Sequence, residues 1–510
     1  MIHDPFSKRL HLSEAQRFLL LAILIGIFAG LLVVCFHIFI DFISWESLGA
    51  LSGRYRFGRL ISPSIGAALA TWLATRVFPA ARGSGVNQTK AALYISDGMV
   101  PASTVVGKFL ACSIAIGSGN SLGPEDPSLQ MGAGVASLLG RMFHLGRKNM
   151  RLIAPVGAAA GIAAAFNTPI TGVLFVMEEV VGAWNAAVVG SVVLSAVSAV
   201  VVIRWFLGTA PLFRVPVFEL THPSELAVYA IIGVLGGLLS AAFVGLIENL
   251  RGRLERLPKQ SELVQALAAG LFVGAVGLWL PEVMGAGYDA IDFALHDRFT
   301  WELLLLLGGA KLLVTLGCFS TGVPGGMFAP TLFIGAMIGG GLGGMAHHYW
   351  PFPTSSAGAY VLVGMGTFFS GVFRAPMTSI FMVFEVSASY SIILPVMIAN
   401  TIAYFVSRRL HPVPFFTMLA QQEGVDLPSA EEYRSTEVLR VEDAMQPVPP
   451  HAVLDSAPRI YPDVPLDSAL RLLSRNEMLK VASRADPERA IGVITLGDVH
   501  RAYGIQDNYF

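Results

Sequence analysis

Between Phe18 and Ile40 the chain is almost continuously apolar, and Lys8, Arg9 and Arg17 precede the run. About 20 apolar residues cross the roughly 30 Å hydrocarbon core of a bilayer as a helix, so this run predicts a first membrane helix. It is longer than the apolar core of a signal peptide. Apolar segments recur as far as Val406. They predict helices near 16–44, 62–78, 103–116, 127–142, 150–165, 168–184 and 187–207, then near 225–250, 262–279, 300–316, 328–347, 357–371, 375–389 and 391–407. Several are too short to span alone, and many contain Gly or Pro. Broken segments at membrane depth usually line a cavity or binding site, where their freed backbone groups find partners. Basic clusters at 8–17, 141–151, 251–259 and 408–409 mark the cytoplasmic side and put both termini there.

Composition agrees with lipid as the solvent. Of 510 residues 54% are hydrophobic and 14% charged, and the mean hydropathy is +0.63. Soluble chains carry about 25% charged residues. A net charge of −1 gives no footing for nucleic acid. Cys35, Cys112 and Cys318 lie in apolar stretches without paired spacing, so neither a disulfide framework nor a zinc site is expected. No cofactor and no metal is expected. Beyond residue 430 the character changes: 22 of the last 80 residues are charged, against 47 of the other 430. The expected organisation is a cytoplasmic N-terminus (1–15), two membrane repeats (16–220 and 221–425) and a small α/β cytoplasmic tail (426–510). A linker holds Gln421, Gln422, Glu423, Gly424 and Pro428. The tail reads as a helix near 466–477 and a strand near 491–495.

The two membrane halves are copies. Lys108 matches Lys311 and Pro127 matches Pro330, both at an offset of 203. Residues 127–140 align to 330–343, residues 166–179 to 373–386 at an offset of 207, and "GSGV" (83–86) to "GAGY" (285–288). Duplicated halves are typical of transporters, with the site at the repeat interface. A scaffold needs the shared residues, so unshared polar ones are better candidates for function. Ser84 faces Ala286 in this alignment, and Glu125 faces Phe328.

A dehydrated anion needs hydrogen-bond donors and positive potential, and helix N-termini supply both. Gly-rich turns before helices let the backbone approach the ion. Three stretches fit: "GSGVN" (83–87), "GPEDP" (123–127) and "GGMFAP" (325–330), with Gly83, Gly85, Gly123 and Gly325 as supporting backbone. Each helix end contributes only about 0.3–2 kcal/mol, so several must converge.

Three such motifs, in this order and on a duplicated scaffold, resemble the anion-site motifs G-S-G-x-P, G-(K/R)-E-G-P and G-x-F-x-P of the CLC chloride channels and transporters. The resemblance covers about residues 15–425. It implies an all-α polytopic membrane fold of two inverted repeats with tilted and broken helices. It also implies a homodimer in the bilayer, each subunit with its own pathway. By position, Ser84 resembles the serine donating to the central chloride, and the backbone N–H groups of Met327 and Phe328 its other donors. Glu125 resembles the gating glutamate, a tethered anion that competes with chloride until it is protonated. Glu179 resembles the internal glutamate that passes protons from the cytoplasm; Glu178 is a weaker candidate, and Glu385 is read as structural. The expected activity is Cl−/H+ antiport in a bacterial cell membrane.

Departures from the pattern keep other readings open. Asp126 stands where the family has Gly, and either acts on a neighbouring acid or caps its helix. Pro124 replaces a basic residue. Asn87 replaces Pro, a change read as minor. Phe416, with Phe415 as the alternative, takes the place of a tyrosine whose hydroxyl contacts chloride. The loss of that hydroxyl leaves a passive chloride channel as the alternative. A fluoride exchanger would not be expected to carry Ser84. An intramembrane enzyme using Glu125 and Asp126 as acid and base is a third reading. "VEDAM" (441–445) and "IGVITLGDV" (491–499) resemble a single CBS-type module, which would pair across a dimer or act by packing, with nucleotide binding open.

Overall fold

The computed structural model describes residues 14–49, 56–182, 186–213, 215–216, 220–425, 427, 439–449, 457–474, 476–483, 486 and 489–502. Lys8, Arg9 and most of the expected N-terminal segment, and Pro428 of the expected linker, lie outside the described residues. The chain separates into two compact units, 1–430 and 431–510.

In the first unit eight helices are followed by eight counterparts. The first set is α1 (Glu14–Ser44), α2 (Arg56–Trp72), α3 (Val86–Tyr94), α4 (Ala102–Gly117), α5 (Glu125–Met142), α6 (Arg147–Phe166), α7 (Pro169–Phe175) and α8 (Ala186–Leu207). The second is α9 (Glu225–Leu254), α10 (Glu262–Gly277), α11 (Tyr288–Leu295), α12 (Trp301–Ser320), α13 (Phe328–Tyr349), α14 (Ala357–Phe373), α15 (Pro376–Ser387) and α16 (Ile393–Leu410), with α17 (Phe415–Gln422) after it. Among the described residues six helices are long and apolar enough to cross a membrane, Gln16–Leu48, Glu225–Leu254 and Phe328–Tyr349 among them. Large apolar side chains such as Trp205 (83% exposed) face outwards, which only a lipid surround makes favourable.

The expected long helices are present, with shifted ends. The segment expected as one helix over 168–184 is α-helical only to Phe175 and then widens into a π-type turn over Val176–Val181. The segment expected over 62–78 starts at Arg56 and widens after Trp72. α3, α11 and α17 were not anticipated. Each is only eight or nine residues long, too short to show a helical period in the sequence.

Packing repeats between the halves. α5 lies on α6 as α13 lies on α14, and α1 on α8 as α9 on α16. Counterparts α2 and α10 touch one another, as do α7 and α15. Glycines allow the closest approaches: a Cβ at Gly132 would sit 2.2 Å from the Gly157 carbonyl oxygen, and one at Gly335 2.3 Å from that of Gly364. Small residues at such crossings are how helices associate where water gives no driving force. Pro127 and Pro330 each occupy the third position of their helix, where no N–H is lost to the ladder.

The halves also cap one another. Glu178 accepts from the N–H of Thr378 (2.9 Å) and of Met377 (3.4 Å) and from the Thr378 hydroxyl (2.8 Å), at the start of α15. Its counterpart Glu385 accepts from the N–H of Ile170 (2.9 Å) and Thr171 (2.7 Å) and from the Thr171 hydroxyl (2.6 Å), at the start of α7. Each carboxylate thus satisfies donors that a helix start cannot satisfy itself. Equivalent contacts running in both directions are what a two-fold relation between inverted repeats produces.

The second unit has a three-stranded sheet in the order β1 (Arg459–Ile460), β2 (Met478–Ala482), β3 (Ala490–Thr495), with β1 parallel and β3 antiparallel to β2. The helix Leu466–Leu473 is shorter than the expected 466–477. Val441, Leu466, Leu479, Val481, Ile494 and Val499 form its core.

The reciprocal caps carry a prediction. Glu178→Ala or Glu385→Ala should each cost about 1–3 kcal/mol, because helix-start donors shielded from water lose their acceptor. Thermal melting in detergent should show lower midpoints for both, and a smaller loss for the Gln variants. A wild-type midpoint for Glu385→Ala would mean that the contact is incidental.

Candidate functional site: convergent helix starts and two buried carboxylates

The site begins with the backbone. Gly123 and Gly326 exchange N–H···O bonds in both directions, each 2.8 Å long, as an antiparallel bridge. The bridge brings the start of α5 against the start of α13, so two sets of unpaired N–H groups and two positive dipole ends share one place. Gly325 packs on Leu122, where a Cβ would lie 2.6 Å from the Leu122 Cβ. The third motif reaches the same place: a Cβ on Gly85 would sit 2.5 Å from the Asp126 carbonyl oxygen. Gly83 (φ +87°) and Gly85 (φ +123°) adopt backbone that side chains resist, which lets the loop turn into α3. Ser84 lies buried between them.

A buried lysine holds each loop. The Lys108 ammonium on α4 donates to the Gly83 carbonyl. Its counterpart Lys311 on α12 donates to the carbonyls of Val283 (2.9 Å) and Gly285 (2.6 Å). The sequence showed this pair only as markers of the repeat. Both are fully buried, and their shared role is to set the loops preceding α3 and α11.

Glu125 and Asp126 open α5 and have no exposed surface. Both carboxylates reach backbone amides of the other repeat. Glu125 Oε2 accepts from the Ala329 N–H at 3.3 Å, and Asp126 Oδ2 from the Met327 N–H at 2.9 Å. Two of the three successive amides at the start of α13 therefore carry carboxylates. The amide between them, Phe328, is the first helical residue and has no helical acceptor. Tyr288, at the start of α11, donates its hydroxyl to Glu125 Oε1. Sequence reading missed this tyrosine, although it is an unshared polar residue in a matched block, facing Val86. Tyr288 and Pro124 also line a cavity of about 520 Å³ with His37, Asp41, Arg59 and Asp289, so Glu125 is one hydroxyl away from that space.

The opposite approach is aromatic. The Phe328 ring packs on Phe175 (4.9 Å), Phe373 (4.8 Å) and Phe369 (5.2 Å). Phe416 stacks on Phe373 (5.3 Å) and lies 6.2 Å from Phe175. Phe415 instead also reaches Phe319 (5.8 Å). The Phe416 carbonyl accepts from Asn87 Nδ2 at 2.9 Å. Asn87 is thus more than the minor change expected, since it ties the start of α3 to the start of α17, a bond that proline could not make. Arg374, in left-handed backbone at the end of α14, donates to the carbonyls of His411, Pro412 and Val413 and so fixes the turn into α17.

Glu179 is buried, in the π-type turn after α7, and pairs with the equally buried Lys90 of α3. The Lys90 ammonium also lies 5.9 Å from the centre of the Phe416 ring. Glu179, Lys90, Phe416 and Asn87 form a connected set beside the aromatic cluster. Glu179 faces Val386 in the other repeat, whereas Glu178 and Glu385 are the matched caps described above. The structure therefore separates the two adjacent glutamates by role: one builds, and the other has no structural counterpart. Among the described residues no cluster of His, Cys, Asp or Glu could hold a metal ion.

Helix starts converging on buried, tethered anions inside an apolar, duplicated bundle define an anion pathway across a membrane. Residues 66–408 match the voltage-gated chloride channel family, and the chain belongs to that family. It is 32% identical over 397 residues to a ClcB-like chloride channel protein of Ralstonia nicotianae, covering 76% of this chain and 92% of that one. It is 31% identical over 417 residues to the H(+)/Cl(−) exchange transporter ClcA of Vibrio cholerae, covering 79% and 88%. A solved slow cyanobacterial Cl−/H+ antiporter superposes with a TM-score of 0.73 at 26% identity, over 80% of this chain and 98% of the other.

A hydrogen bond to a charged group contributes about 1.5–3 kcal/mol, so Tyr288→Phe should let Glu125 leave its seat on the order of tenfold more often. Carbodiimide labelling of Glu125, read by mass spectrometry, should speed up accordingly. Unchanged labelling would show that the tyrosine does not restrain it.

Proposed function

We propose that this chain is a proton-coupled chloride antiporter, with Glu125 as its gating glutamate and Glu179 as its internal proton-transfer group. The observation that carries the reading is the seat of Glu125: a carboxylate lies on the Ala329 N–H at a helix start, where a free anion would otherwise bind. A proton on Glu125 removes its charge and its hold on that amide, and chloride takes the place. Deprotonation returns the carboxylate and expels the ion. The Tyr288 hydroxyl connects this event to the cavity, and Glu179 serves the other side. Ser84 and the Phe328 amide are the proposed chloride donors, with Met327 joining them when Asp126 releases its N–H. Relatives named as exchange transporters support this reading over an intramembrane enzyme, and the two adjacent acids are each engaged with backbone rather than with one another.

The proposed setting is a bacterial cell membrane, with both termini cytoplasmic, the chain a homodimer and residues 426–510 a CBS-type tail pairing across it. One observation favours the second reading, an uncoupled chloride channel: Phe416 offers a ring and a carbonyl already bonded to Asn87, so no hydroxyl closes the inner end of the site.

The deciding measurement is proton movement driven by a chloride gradient in reconstituted liposomes. Uphill proton transport is expected. Glu125→Gln should keep chloride flux and lose proton movement, and Glu179→Gln should lose proton movement as well. Chloride flux without proton movement in the wild type would establish the channel reading instead. Ser84→Pro should shift preference from chloride towards nitrate, measured as relative flux; an unchanged ratio would remove Ser84 from the site.

A further inference from the structure

We propose that Asp126 is a second tethered anion of the pathway, whose carboxylate holds the Met327 N–H against chloride and yields it when a proton binds or the side chain swings away. The inference rests on the reading that chloride enters this site, and it says how Asp126 comes to release the Met327 N–H to the ion.

The argument is one of placement. An aspartate in the first turn of a helix ordinarily bonds to the free N–H groups of its own helix. Asp126 does not. Its side chain crosses to the other repeat, and Oδ2 accepts from Met327 at 2.9 Å. Room for it comes from Gly326, where a Cβ would lie 3.0 Å from both Cβ and Cγ of Asp126. Gly85 closes on its main chain from the third loop. Asp126 is thus where all three anion-motif loops meet, and its negative charge already lies on one of their donors.

The second observation is the other oxygen. Oδ1 is buried and has no hydrogen-bond partner, in a residue with no exposed surface. A structural carboxylate in an apolar setting is normally bonded at both oxygens, as Glu178 and Glu385 are, because an unpartnered charged oxygen there is costly. An oxygen left open on the site is instead a place for a proton. The exchange balances. A proton binds Oδ1 and forms an O–H, the carboxyl becomes neutral, and Oδ2 becomes a weaker acceptor for the Met327 N–H. Chloride then takes that donor, so the position carries one negative charge before and after. The titratable groups facing Asp126 are Glu125 on its own helix and Lys108 and Cys112 on α4. Only Asp126 is bonded to the Met327 amide.

The test removes the gating glutamate first. Glu125→Gln protein, purified in detergent and chloride-free buffer, is titrated with potassium chloride by calorimetry at several pH values. Chloride affinity should rise about tenfold from alkaline to acidic pH, a modest share of what a unit charge a few ångström away can exert. Glu125→Gln/Asp126→Asn should show the high affinity at every pH. Glu125→Gln/Asp126→Gly should do the same, and it keeps the proposal testable if the Asn variant fails to fold, since glycine adds no polar group and leaves open only the Met327 N–H that chloride is to take. An affinity independent of pH in Glu125→Gln overturns the proposal. So does a pH dependence that survives in both double variants, which would pass to Lys108 or Cys112. Absence of chloride binding in all of these proteins overturns the antiporter reading along with it.

Discussion

Everything in the membrane unit depends on one demand: the N–H groups at helix starts need acceptors, and the surrounding apolar packing provides no water to supply them. The chain answers in two ways. Where α7 meets α15, a carboxylate from the facing repeat fills the gap, as Glu178 does for α15 and Glu385 for α7. Where α5 and α13 start together, the acceptors are Glu125 and Asp126, held at 3.3 and 2.9 Å by a helix that belongs to the other repeat. The same physics that holds the first pair makes the second exchangeable in the proposed function. An anion seat can be filled by a side chain or by an ion, and the side chain can be discharged by a proton.

Duplication explains why the exchangeable seats are asymmetric. A two-fold scaffold gives every structural contact a twin: Lys108 and Lys311 on their loop carbonyls, Gly132 and Gly335 at their crossings, the reciprocal bonds of Gly123 and Gly326. The residues that read as chemistry lack twins. Glu125 faces Phe328, Asp126 faces Ala329, Tyr288 faces Val86, Glu179 faces Val386 and Ser84 faces Ala286. One half of the site supplies charge, and the other supplies amides and rings. A transported ion needs unequal approaches from its two sides, and an exact two-fold would deny it that.

The sequence made the long helices, the duplication and the three motifs legible, because each leaves a local trace: an apolar run, a constant offset, a glycine before a helix. What it hid was contact across distance. Tyr288 meets Glu125 from 163 residues away, and Asn87 meets Phe416 from 329. No local period or motif encodes such a meeting, although the rule that unshared polar residues matter would have picked out Tyr288. The short helices α3, α11 and α17 were hidden for a related reason. They are too short for an alternation of faces to stand out from the flanking loops, and tertiary contacts rather than local propensity hold them.

Glu178 and Glu179 show how far the two kinds of reading reach together. In sequence they are adjacent acids on one apolar segment, and only the wider turn that follows Phe175 explains how both can be used. In a regular helix neighbouring side chains point about 100° apart. Here one reaches α15 and caps it, while the other reaches Lys90 on α3. The departure from α-helical winding thus sits where a structural acid and an unmatched acid must serve different neighbours, a use for which π-type turns are known. It also places Lys90 between Glu179 and the Phe416 ring. Beside Phe416 there is therefore an ion pair and an aromatic wall rather than a hydroxyl. In the proposed function a proton reaching Glu179 would disturb the Lys90 contact, and Lys90 is anchored on the helix that the Gly83–Ser84–Gly85 loop begins. The Glu179–Lys90 pair and the Ser84 loop are thus connected through α3, a helix of nine residues.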